Sequence, residues 1–123
     1  MTGMPLASYY KEILIRIYPC KIPFTLRVLH TRPKSYLGTY AYKTHAITIY
    51  DKGRFAHMCV KTAIHEYAHH LHVTEFGRDE KKQAVHSPEF WQIYGQLMWR
   101  ARVLGLQPYN LSPVLDFESA VEN

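Results

Sequence analysis

The sequence predicts a small α+β domain with an N-terminal helix, a three-stranded antiparallel or mixed sheet, and two long helices. Three observations predict it. Residues 54–76 run without proline or interior glycine and carry apolar residues at helical spacing. Ahead of them, three short segments alternate apolar and polar residues with a period of two. Beyond them, Ser87-Pro88-Glu89 opens a second helical run that Gly105 closes. With 123 residues, 47% of them hydrophobic, the chain is long enough for one modest core and one domain.

The elements follow in order. Ser8 is placed to cap a short helix through Tyr9, Glu12, Ile13, Ile17 and Tyr18, which Pro19 ends. Phe24–Leu29 reads as a strand, and Tyr36–Tyr42 and Ala46–Tyr50 as two more, joined by a turn near Lys43-Thr44-His45. Asp51-Lys52-Gly53 punctuates the start of the long helix and Gly77 its end. Met58, Val60, Ala63, Ile64, Tyr67, Ala68 and Leu71 give it a broad apolar stripe. In the last helix, Ser87 serves as N-cap, Pro88 as first helical residue and Glu89 as an early acid. Phe90, Ile93, Tyr94, Leu97, Met98, Ala101 and Leu104 then carry the apolar face.

The long helix contains His65-Glu66-Tyr67-Ala68-His69, an H-E-x-x-H pattern. An α-helix turns once in ~3.6 residues, so His65 and His69 stack one turn apart on one face. Two imidazoles so placed can share one tetrahedral Zn²⁺. Glu66, beside the first of them, is positioned to take a proton from attacking water without ligating the ion. This is the chemistry of a zinc metallopeptidase. His72, one turn further on, and Tyr94 are candidates for stabilising a transition state.

A third ligand is needed, and two residues compete. His86 lies 17 positions after His69, and Glu89 lies 20 after it. The second spacing is that of thermolysin-like enzymes, but their N-E-x-x-D pattern is missing here. A metzincin would have glycine at 72 and histidine at 75, where this chain has His72 and Glu75. Motif grounds therefore favour His86, with Glu89 as the alternative. Glu89, Glu75 and Asp79 are candidates for orienting the ligand histidines. His70 points about 100° away from His69 around the helix and so falls off the metal face.

Tyr36-Leu37-Gly38-Thr39-Tyr40, the strand Ala46–Tyr50, Ile64-His65-Glu66-Tyr67-Ala68-His69-His70 and His86-Ser87-Pro88-Glu89-Phe90-Trp91 occur in that order. In this the chain resembles the SprT-like zinc metallopeptidase domain over about residues 22–105. The resemblance implies a zincin-like core, one zinc on His65, His69 and His86, and Glu66 as general base. It also implies a polypeptide substrate bound along the strand that precedes the metal helix, through an exposed sheet edge. The C-terminal four-cysteine ribbon of many family members has no counterpart, since Cys20 and Cys59 are the only cysteines. The alternative function is a non-catalytic zinc module that binds protein or nucleic acid.

Charge divides the chain into a domain, 1–105, and an acidic tail, 106–123. The domain holds all fifteen Lys+Arg against seven Asp+Glu, while the tail carries Asp116, Glu118 and Glu122. Basic residues interleaved with Tyr36, Tyr40 and Tyr42 suggest DNA as a partner, although solvated charge and half-buried strand tyrosines explain the same pattern. His30, His45 and His57 read as surface or core histidines. The apolar run Ile13-Leu14-Ile15 is far too short for a membrane span, and no signal peptide is evident. Two separated cysteines fit reduced, buried thiols, and together these features predict a cytoplasmic protein.

Overall fold

A computed structural model describes residues 5–78 and 84–106 of the chain. It is an α+β fold in the order α1 (Leu6–Ile17), β1 (Thr25–Leu29), β2 (Gly38–Ala41), β3 (Ala46–Tyr50), α2 (Ala56–Thr74) and α3 (Pro88–Leu104). The sheet is mixed. β1 runs parallel to β3 with Thr25 opposite Ala46, and β2 runs antiparallel to it with Gly38 opposite Ile49.

The strand order is β1-β3-β2, which corrects one expectation. The strand before the long helix is the centre of the sheet, not an exposed edge. Its burial explains why: Ile47 and Ile49 are fully enclosed and Thr48, on the opposite face, is also buried. A strand covered on both faces gains most when both of its hydrogen-bonding edges are also paired. The free edges therefore belong to β1 and β2.

α1 starts earlier than expected. It is preceded by Pro5, has no side-chain cap, and includes Ser8 as an exposed residue of its first turn. The Pro5 carbonyl accepts the first helical hydrogen bond, from Tyr9 N at 3.0 Å, so the helix begins ahead of Ser8 and leaves it no cap position. Tyr10, Ile13, Leu14 and Ile17 form its buried face. The ends of α3 match the sequence reading: Ser87 Oγ accepts from Phe90 N at 3.4 Å, and Gly105 adopts φ 67° while its amide returns to the last helical carbonyls.

The core lies between the sheet and the three helices, around Leu14, Ile17, Ile49, Ile64, Tyr67, Leu71 and Phe90. Each such side chain contributes roughly 1.5–3 kcal/mol by leaving water. α2 is enclosed along nearly its whole length, and Tyr67 donates its hydroxyl to the Tyr18 carbonyl. That makes α2 a rigid mount. Cys59 is buried in this core and Cys20 partly so, both as free thiols. No helix among the described residues is long and apolar enough to cross a membrane. The acidic tail lies outside the described residues apart from Leu106.

Candidate metal centre

Helical periodicity brings His65 and His69 to one side of α2, with ring centroids 5.0 Å apart. His86, in the turn that leads into α3, completes the triangle. Its centroid is 5.1 Å from that of His65 and 5.0 Å from that of His69. One nitrogen from each ring lies within 4.8 Å of the other two, so the three can hold a metal ion. His65 Nε2 and His86 Nε2 are 3.1 Å apart. A tetrahedral ion with imidazole bonds of about 2.0–2.1 Å holds its ligand nitrogens about 3.3 Å apart, so this pair is already near its bound spacing.

The rings are held by aromatic packing. Phe90 stacks on His69 at 4.2 Å, Trp91 stacks on His86 at 5.5 Å, and Tyr94 stands edge-on to His65 at 5.7 Å. The N-terminal turns of α3 thus wall the site. Burial removes water from the rings and disfavours their charged forms. It pushes His65 down to about 4, helped by His86, and His69 down to about 3, helped first by His65. His86 is lowered by the same cause. All three are neutral at pH 7, the form that binds metals.

Glu66 is buried one residue after His65, and burial pushes its carboxyl up to about 8. It lines a cleft of about 510 Å³ together with Thr39, Tyr40, Tyr42, His69, Val73, Arg78 and Val85. The cleft therefore runs between α2 and β2, the antiparallel edge strand. Gly38 permits that approach. A Cβ there would lie 2.6 Å from Thr62 Cγ2 and 3.3 Å from Glu66 Cγ.

Other expectations are resolved residue by residue. Glu89 is not beside the histidines; it is exposed and lines a separate groove of about 760 Å³ with Tyr18, Leu71, Phe76 and Arg100. Glu75 is also engaged elsewhere, accepting from Tyr18 OH at 2.9 Å and Lys21 N at 2.7 Å. Asp79 lies outside the described residues. His72 is fully buried near Phe90 and cannot touch a substrate, whereas Tyr94 borders His65. His30 pairs with Asp51 at 2.8 Å. His57 is buried beneath Phe55, against which its ring stacks.

His70 has a structural role. Its Nε2 is 2.7 Å from the Ile22 carbonyl and must therefore carry a proton. Its Nδ1 is then an acceptor, lying 2.9 Å from Tyr40 OH, which donates to it. His45 Nδ1, 2.8 Å from the same hydroxyl, is left as the donor. This chain ties the hairpin and α2 together and turns Tyr40 inward. Tyr40 is thereby removed from any base-stacking surface, while Tyr36 and Tyr42 remain exposed.

Sequence reasoning missed three contributors. Arg54 gathers the carbonyls of Leu37, Tyr50 and Met58 and the hydroxyl of Thr62, tying the end of β3 and the residue ahead of β2 to α2. Gly38 was read only as part of the Tyr36–Tyr40 motif, without its close approach to α2. Arg78 gave no signal at all. Comparison of the chain with protein-family models, curated proteins and solved structures found no match.

Proposed function

We propose that this chain is a zinc-dependent peptidase of the SprT-like kind, with Glu66 as its general base. The observation that carries the reading is the convergence of His65, His69 and His86, of which His69 lines a cleft with Glu66 that the edge strand β2 bounds. Three neutral imidazoles without a thiolate suit zinc, and a three-ligand set leaves a position open for water or substrate, as catalytic sites require. Bound there, zinc would supply Lewis-acid polarisation of the scissile carbonyl and a lowered pKa, near about 7, for water.

The chain's own residues do the rest. Glu66, protonated near neutrality in the metal-free protein because it is buried, ionises beside a dication. Its carboxylate takes the proton of the attacking water and passes it to the nitrogen of the leaving amine. β2, with its outer edge unpaired within the described sheet, offers an extended polypeptide backbone hydrogen bonds next to Glu66. Phe90, Trp91 and Tyr94 limit water access to the ligand side.

The test is Glu66→Gln, which preserves size and removes the base. The variant should keep stoichiometric zinc by elemental analysis and lose hydrolysis of a denatured protein substrate by about 10²–10⁴-fold. Equal turnover by the variant and wild type would overturn the reading. Repeating the assay with oligonucleotides tests the DNA expectation. Stimulated cleavage would extend the substrate to DNA-associated proteins, and binding without turnover would support the non-catalytic zinc module instead.

A further inference from the structure

We propose that the exposed face of α3 is a self-association surface, on which a second copy of this chain packs antiparallel about a two-fold axis near Gly95. The inference is independent of the peptidase reading. This face lies opposite Phe90, Leu97 and Ala101, the buried residues through which α3 joins the core.

At about 100° per residue, Gln92, Gln96, Trp99 and Val103 fall within about 60° of one another and form a stripe without charge. Trp99 and Val103, one turn apart, are 61% and 63% exposed. They hold apolar surface in water that a packed partner would remove. Gln92 and Gln96 also border the groove of about 760 Å³ whose lining reaches the buried Leu71 and Leu97.

Gly95 is the second sign. After proline, glycine is the residue least suited to a helix interior. Packing within the chain does not demand one here, since a Cβ would meet no atom of the described residues within 4 Å. A second helix laid across this point would occupy the space that the missing side chain leaves.

The charges indicate which helix that is. Glu89 and Arg100 lie on one flank of the stripe, about 20° apart around the axis, with Gly95 midway between them along it. A two-fold that pairs antiparallel helices sets each flank against itself. Glu89 of each copy therefore meets Arg100 of the other, twice over, whereas a partner of one sign would satisfy only one of the two. Both residues are exposed. Arg100 is anchored through its Nε, which donates to the Ile17 carbonyl at 2.6 Å, and its two amino groups remain as donors for a carboxylate. A single helix pair is at the small end of specific interfaces, so the dimer should form in the micromolar range.

The test is sedimentation velocity of the full-length chain from about 1 to 200 µM, where a dimer should grow in with concentration. Trp99→Ala should weaken it about 30-fold, as truncation of a central interface tryptophan does. Glu89→Arg and Arg100→Glu should each weaken it about 10-fold by setting like charges face to face. An equimolar mixture of these two variants should dimerise as wild type does, because the reversed charges then pair. Gly95→Gln should also weaken association while raising the Tm of dilute, monomeric protein by about 2–5 °C, since the helix itself gains.

Should Arg100→Glu unfold, as judged by circular dichroism, Trp99→Ala and Gly95→Gln decide. Monomer at every concentration would overturn the inference. So would a dimer that Trp99→Ala and Gly95→Gln leave unchanged, or two folded charge variants whose mixture recovers nothing. None of these results bears on hydrolysis, which Glu66→Gln tests separately.

Discussion

Gly38→Ala is the perturbation whose consequence the geometry defines most closely. A Cβ at this position would stand 2.6 Å from Thr62 Cγ2, 3.1 Å from the Thr48 carbonyl oxygen and 3.3 Å from Glu66 Cγ. Carbon atoms pack best at about 3.5–4.0 Å, so the first contact is about 1 Å too short. The nearest of the three does not yield easily. Thr62 is buried and its hydroxyl is held by Arg54 Nη2 at 2.6 Å and by the Met58 carbonyl at 3.1 Å. Overpacking of this kind costs roughly 1–3 kcal/mol. For a domain of this size that lowers Tm by about 4–12 °C. Because the strand must move away from α2 at Glu66, the hydrolysis proposed for this site should fall as well, beyond any loss of folded protein. Thr62→Ser removes Cγ2 and keeps the hydroxyl, so it should rescue much of the Gly38→Ala loss. Thermal and urea unfolding of both single variants and the double form the cycle. A Gly38→Ala protein as stable as wild type, or a double variant whose losses simply add, would refute the packing argument.

Three further outcomes are expected. His86→Ala should abolish tight zinc binding while Glu89→Ala leaves it nearly unchanged; Cu²⁺ quenching of Trp91, whose ring lies 5.5 Å from that of His86, reports binding without an activity assay, and the reverse pattern would return the third ligand to Glu89. Metal-free protein should be most stable near pH 6.5. Below that value stability is lost, because His65 and His69 have lowered folded pKa values of about 4 and 3 and the unfolded chain takes up protons first. Above it stability is lost again, because Glu66 holds its proton up to about pH 8 in the fold and the unfolded chain releases it earlier. Urea titrations from pH 4 to 8 check both limbs, and Glu66→Gln should remove the alkaline one; an alkaline limb that survives the substitution would contradict this account. Tyr40→Phe removes the hydroxyl between His45 and His70 and leaves a buried ring nitrogen without its donor, costing about 1–3 kcal/mol by urea unfolding; an unchanged midpoint would refute that role.

Local chemistry was legible in the sequence. The H-E-x-x-H spacing needs nothing beyond the pitch of one helix to bring His65 and His69 together. Ser87, Pro88 and Gly105 mark the ends of α3 through backbone preferences that act over three or four residues. Gly38 carried a weaker sign, since a strand glycine announces a close neighbour without saying which. The alternating strands were recognisable too, but their order was not. Alternation describes which face each residue takes, while the pairing of β1 with β3 depends on backbone partners about 20 positions apart. The same limit applies in part to the third candidate ligand. The motif already favoured His86 over Glu89, but only the approach of α3 to α2 brings His86 to the other two rings and leaves Glu89 in another groove. Arg78 enters the cleft for a similar reason. A turn at Gly77 and one hydrogen bond back to His72 direct it there, and neither leaves a pattern that spacing or composition reveals. What a single element's geometry dictates was written in the residues themselves. Which elements meet is settled by packing across the whole core, where many small contacts act at once.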